Sequence, residues 1–152
     1  MARALARCCE EIEDAVAVPS KLLMRPSPAV PIIAVVDDDE SVRESLAGLA
    51  ESVGYETALF GSAEEFLRSV SHHDSFACLI LDVRLPGMSG IELYTQLTRR
   101  HRSIPTIMIT AHADPEIKHW AAKAGVVAML YKPFQPEVLL QAAREAIKRP
   151  RT

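Results

Sequence analysis

The chain has 152 residues, of which 49% are hydrophobic, and a formal net charge of −3 at neutral pH. That is enough for one domain with a sizeable buried core. The charge gives no reason to expect a nucleic-acid-binding surface, no basic cluster stands out, and no apolar stretch approaches the length that spans a bilayer.

The N-terminal stretch "MARALARCCEEIEDAV" turns acidic where a signal peptide would turn apolar, so a cytoplasmic location is expected. Cys8, Cys9 and Cys78 make neither a disulfide framework nor a metal-ligand spacing, and read as reduced thiols. Four prolines (Pro19, Pro26, Pro28, Pro31) and the segment "RPSPAVP" mark a linker, so residues 1–30 form an extension before the domain. Leu5, Cys8, Cys9, Ile12 and Val16 recur at helical spacing. A flexible tail, a partner-binding helix and a translation start at Met24 all remain open for this extension.

From Pro31 the pattern alternates regularly. "PIIAVVD" reads as a buried strand, and "ESVRESLAGLAESVG" as a helix with Val42, Leu46, Leu49, Ala50 and Val53 on one stripe and Gly54 as its C-terminal cap. "YETALF" is a strand, "SAEEFLRSV" a helix started by Ser62 with Glu65 three residues on, and "ACLILD" a buried strand. Then follow "GIELYTQLTRR" (helix, with Ser89 as cap), "IPTIMIT" (strand), "DPEIKHWAAKAG" (helix, Asp114 at the N-cap and Pro115 in the first turn), "VAMLY" (strand) and "PEVLLQAAREAIKR" (helix). Apolar strands alternating with amphipathic helices predict an α/β fold: a five-stranded, doubly wound parallel sheet with five helices. The domain spans residues 31–149.

In such sheets ligands bind outside the carboxyl ends of the strands. The first strand ends on Asp37 and Asp38, the third on Asp82, the fourth on Thr110, and the fifth runs into Lys132. Three carboxylates, a hydroxyl and an ammonium are thus expected at one edge. Carboxylates held close repel one another and call for a cation, and an oxygen-only ligand set suits Mg2+. Asp39 and Glu40 lie beyond the strand and read as charges at the positive end of the first helix. Taken singly, each has a plain reading: a helix cap, a β-branched strand residue, a solvated lysine. Those readings do not explain why all of them end strands on the same edge.

"VVDDDESVR", "LILDVRLPGMSGIEL", "IMITAHAD" and "LYKPF", in this order and at these intervals, resemble the receiver domain of bacterial two-component response regulators, closest to FixJ-type receivers. The resemblance covers roughly residues 31–148. It implies a phosphorelay switch rather than an enzyme: Asp82 accepts a phosphoryl group from a sensor histidine kinase or phosphotransfer protein, assisting its own phosphorylation and dephosphorylation. It further implies Mg2+ held by Asp38 directly, by Asp37 largely through water, by Asp82 and by the backbone carbonyl of Arg84. Lys132 would neutralise the phosphoryl group and Thr110 would close on it. That closure would switch the face made by the fourth helix, fifth strand and fifth helix, which meets a downstream protein or a second copy in a homodimer. The Lys132–Pro133 bond is expected to be cis.

Some positions depart from the family's pattern. Met129 stands where an aromatic switch residue is usual, and a flexible thioether can still fill space vacated by Thr110. Tyr131 reads equally as an exposed edge aromatic or as a side chain beside the site. Trp120 continues the stripe of Ile117, Ala121 and Ala124, which favours core packing; an exposed interface tryptophan is the alternative. Arg84 and His112 stand at positions that, in the family this sequence resembles, tune phosphoryl lifetime. His72 and His73 fall in a polar loop.

A phosphatase would need further acid–base residues, and neither "GxGxxG" nor a P-loop follows the first strand. A receiver-like module without phosphorylation would be expected to lack Asp82, Lys132 or Thr110. With only "PRT" beyond the last helix, a stand-alone receiver is expected, the alternative being the receiver of a FixJ-type transcription factor.

Overall fold

The computed structural model describes residues 30–70 and 75–149 of the chain. The expectations for Cys8, Cys9 and the rest of the extension up to residue 29, and for His72 and His73, lie outside the described residues.

Strands β1 (Ile32–Val36), β2 (Glu56–Phe60), β3 (Phe76–Asp82), β4 (Thr106–Thr110) and β5 (Ala128–Tyr131) alternate with helices α1 (Glu40–Ser52), α2 (Ala63–Val70), α3 (Gly90–Arg99), α4 (Pro115–Ala124) and α5 (Pro136–Lys148). The strands form one parallel sheet in the order β2-β1-β3-β4-β5. This is the doubly wound five-stranded sheet with five helices that the alternation predicts. The chain winds outward from β1 in one direction and from β3 in the other. The crevice between the carboxyl ends of β1 and β3 is therefore the point where the winding reverses.

Side-chain alternation along the central strands divides the core in two. Leu79, Leu81 and Met108 face one layer with Phe66 of α2, Leu93 and Leu97 of α3, and the half-buried Ile117 and Trp120 of α4. Cys78, Ile80, Ile107 and Ile109 face the other with Leu46 and Ala50 of α1 and Leu139, Ala142 and Ala146 of α5. Full burial of each such Leu or Ile contributes about 1.5–3 kcal/mol. Phe60, Phe66 and Phe76 add an aromatic cluster with ring centroids 5.2–6.1 Å apart. Cys78 is a free, buried thiol whose pKa burial pushes up to about 12, in keeping with an inert packing residue.

The helix ends follow the local chemistry. Asp39 caps α1, accepting the N–H groups of Ser41 and Val42, which is a more specific role than a charge near the helix dipole. Gly54 takes a left-handed φ of 96° just past α1. Val53 is a correction to the predicted stripe: it follows the last helical residue and is exposed. The Ser62 hydroxyl accepts the Glu65 N–H, while the Glu65 carboxylate answers at Gly61 N rather than at Ser62 N. Ser89 and Glu92 close a reciprocal capping box on α3, and Asp114 with Pro115 starts α4. Strand β4 begins at Thr106 and not at Ile104. Pro105 has no N–H for the ladder, although its carbonyl still accepts from Leu79 N at 2.9 Å.

Gly90, the first residue of α3, sits directly on the end of β3. A Cβ there would run into the carbonyl oxygen of Asp82 and lie 3.0 Å from the Cα of Val83. Gly48, on the exposed side of α1, has nothing within 4 Å of that position. The two glycines should therefore respond oppositely to alanine. In urea denaturation, Gly90→Ala is expected to lose about 1–3 kcal/mol through forced displacement of α3, whereas Gly48→Ala gains about 0.5–1 kcal/mol from helix propensity.

Candidate functional site

Strands β1 and β3 pair in register up to Val36 and Leu81, so Asp37 and Asp82 leave adjacent strand ends. Asp37 is fully buried and held on all sides. Its N–H donates to Phe60 O at 3.2 Å, its Oδ1 accepts Asp39 N at 2.9 Å, and its carbonyl accepts the Arg43 guanidinium at 2.6 Å. Asp82, also buried, accepts the Arg84 N–H on Oδ1 at 3.0 Å. Asp38 is exposed.

Lys132 reaches this pair from the end of β5. Its Nζ lies 3.2 Å from Asp37 Oδ2 and 3.3 Å from Asp82 Oδ2, so one ammonium bridges two carboxylates. Its backbone N–H donates to Thr110 O at 2.8 Å, and its peptide bond to Pro133 is cis, as expected. Ligand oxygens of Asp37, Asp38 and Asp82 lie within 4.8 Å of one another. Hard carboxylate oxygens in that cluster fit Mg2+.

The electrostatics reflect the crowding. Burial raises the pKa of Asp82, and the neighbouring Asp37 charge adds to the rise; the Arg84 N–H and Lys132 oppose both. For Lys132 burial acts to lower the pKa, but the hydrogen bond to Asp37 and the charges of Asp82 and Asp37 outweigh it, and the net shift is upward.

Thr110 ends β4, buried beside this edge, and both hydrogen bonds of its hydroxyl go to His112: it accepts from His112 N at 3.2 Å and donates to His112 O at 3.3 Å. The sequence placed this hydroxyl at the same edge as Asp82, and its hydrogen bonds here go to its own loop. Met129 is half-buried against the layer that holds Met108, Trp120 and Tyr94. Tyr131 is half-buried two residues along the same edge strand, hence on the same face. Trp120 packs on the core, as its stripe predicts, and is half-buried, edge-on to Tyr94 at 5.7 Å. Arg84 and His112 are exposed.

Two residues near the site had no part in the sequence reading. Arg43 could have been noticed as a cation one turn into the helix that follows Asp37. Glu64, whose carboxylate reaches the loop after Asp82, gave no signal because its partner Met88 is 24 residues away.

Over residues 33–144 the sequence matches the family model of the response regulator receiver domain. The chain belongs to this family. Nodulation protein W of Bradyrhizobium diazoefficiens is 48% identical over 120 residues, which make up 79% of this chain and 52% of that protein. The transcriptional regulatory protein FixJ of the same species is 37% identical over 116 residues, 76% of this chain and 56% of FixJ. The crystal structure of FixJ-N is similar with a TM-score of 0.72 at 36% identity, over 79% of this chain and 95% of that one. A receiver of the FixJ type is thus supported, and the chain spans about half the length of these two relatives. No described helix of this receiver is long and apolar enough to cross a membrane.

The raised pKa of Asp82 gives a signed expectation. A carboxyl whose folded pKa exceeds its unfolded value favours folding fully only below the unfolded value, and that contribution is lost as pH rises through the folded pKa. At pH 7 the ionised carboxylate therefore opposes folding. Asp82→Asn should raise the Tm of the metal-free receiver by a few degrees at pH 7. The gap should close as pH falls below about 4, where the wild-type carboxyl is protonated as well. Differential scanning calorimetry in chelator-treated buffer at both pH values checks this.

Proposed function

We propose that this receiver, residues 31–149, is a phosphorelay switch acting in the cytoplasm, with Asp82 as the phosphoacceptor. The observation that carries the reading is the bridging of Asp37 and Asp82 by Lys132 beside the exposed Asp38. Two buried carboxylates on one ammonium form a site short of positive charge.

Mg2+ would be held by Asp38, by Asp37 largely through water, by Asp82 and by the Arg84 carbonyl. When bound, it supplies charge neutralisation for a transferring phosphoryl group. The chain's own residues do the rest. An Asp82 carboxylate oxygen attacks the phosphorus of a phosphohistidine on a sensor kinase or phosphotransfer protein; the O–P bond forms as the P–N bond breaks, and the electron pair returns to the imidazole. Lys132, already aimed at Asp82, takes up negative charge on the phosphoryl oxygens. Attack of water on the same phosphorus later breaks the bond to the Asp82 oxygen, releases inorganic phosphate and restores the carboxylate, assisted by Lys132.

Thr110 supplies the switch. Its bonds to His112 are long for hydrogen bonds of a hydroxyl and so inexpensive to exchange for a charged phosphoryl oxygen. Met129 then moves into the space that Thr110 leaves, and the surface of α4, β5 and α5 changes for a downstream protein or a second phosphorylated copy. The matched region makes up 52% of nodulation protein W and 56% of FixJ, and the same switch serves a receiver alone or one within a longer chain.

Incubation with acetyl phosphate and Mg2+, followed by intact mass spectrometry, tests the reading. One phosphoryl adduct is expected on the wild type, absent without Mg2+ and absent in Asp82→Asn. A folded wild type that stays unlabelled by acetyl phosphate and by its kinase would mark a phosphorylation-independent interaction module instead.

A further inference from the structure

Glu64 stands in the first turn of α2, beside Glu65, and the two carboxylates serve different ends. Glu65 turns back on its own helix start, accepting Gly61 N at 2.9 Å. Glu64 reaches across to the segment that follows Asp82: its Oε1 accepts the N–H of Met88 at 2.8 Å. Gly87, just before, has φ +75°, and a Cβ on it would lie 2.8 Å from the same Oε1. The left-handed φ favours glycine, and a side chain there would push this carboxylate aside.

That segment, residues 83–89, carries Arg84 from Asp82 to the start of α3. One end is held by the Arg84 N–H on Asp82 Oδ1 at 3.0 Å. The other is held by Gly90 N on Val83 O at 3.0 Å and by the capping box of Ser89 and Glu92. Among the described residues, Glu64 supplies a hydrogen bond to the middle of the loop from another element. The bond also lowers the pKa of Glu64 from its ordinary value. A bare need for negative charge at the N-terminus of α2 would be met by either glutamate. It does not account for the span to Met88.

We propose that Glu64 is a positioning residue for divalent-cation binding at the acidic cluster, holding the 83–89 loop so that the Arg84 carbonyl is set as a ligand before the cation arrives. This rests on the reading of Asp37, Asp38 and Asp82 as a Mg2+ site. A carboxylate two steps removed from the cation thereby governs its affinity, as groups that orient ligands commonly do.

The test is calorimetric titration of the full chain with Mg2+, without any phosphoryl donor, alongside hydrogen exchange of the Met88 amide in chelator. Glu64→Ala is expected to weaken Mg2+ binding about tenfold and to speed Met88 exchange. Glu64→Gln keeps an acceptor and should recover most of both. Glu65→Ala loosens the start of α2 without touching the loop and should bind Mg2+ as the wild type does. Equal affinities for wild type and Glu64→Ala, unchanged Met88 exchange, or the same loss in Glu65→Ala would each overturn the proposal. A wild type that binds no Mg2+ overturns it together with the site reading. If the wild type binds Mg2+ yet accepts no phosphoryl group, the phosphoacceptor reading alone fails, and the affinities still decide the role of Glu64.

Discussion

Two carboxylates buried at adjacent strand ends cannot both ionise without a counter-charge, and Lys132 is what this structure provides. At about 4 Å and an effective dielectric near 20, each unit-charge pair is worth roughly 4 kcal/mol. Lys132 attracts both Asp37 and Asp82, but the two acids repel each other, and Asp38 adds a third negative charge. One ammonium leaves the cluster with negative charge in excess. The fold is held slightly uncomfortable at the place where a cation and a phosphoryl group would meet, which is how a binding site differs from a satisfied core ion pair.

The sheet makes that concentration achievable. Parallel strands put all carboxyl ends on one edge, and the reversal of winding between β1 and β3 leaves that edge open where Asp37 and Asp82 emerge. The surrounding backbone is then fixed by contacts that tolerate little change. Arg43 holds the Asp37 carbonyl, Phe60 O holds the Asp37 N–H, and Gly90 lets α3 lie against the Asp82 carbonyl. The two core layers, one under α2, α3 and α4 and the other under α1 and α5, make the sheet rigid enough to hold charges in close quarters.

Much of this was legible in the sequence because it depends on short-range rules. Strand and helix alternation, the caps at Ser62, Ser89 and Asp114, and the strand-end positions of Asp37, Asp82, Thr110 and Lys132 all follow from periodicity and local hydrogen bonding. What escaped was direction and distance. Spacing alone does not give the partners of a strand-end threonine, and here both hydrogen bonds of the Thr110 hydroxyl go to His112. Val53 fits a helical stripe in spacing alone, but the helix stops one residue short of it. Glu64 went unnoticed, since nothing in a linear pattern links it to a backbone N–H 24 positions on. Long-range contacts of side chain to backbone leave no periodic trace.

The chain carries a single tryptophan, and its placement gives the molecule an optical gauge of its own. Trp120 stands edge-on to Tyr94, whose hydroxyl donates to Ala124 O at 2.9 Å at the last residue of α4. The helix is thus tied to α3 at its far end and joined at its near end to the loop where Thr110 and His112 meet. A displacement of α4 relative to α3 would move the indole against the phenol ring. Such a motion would alter the polarity and the quenching around the chain's one tryptophan, so intrinsic fluorescence would report it with no dye attached.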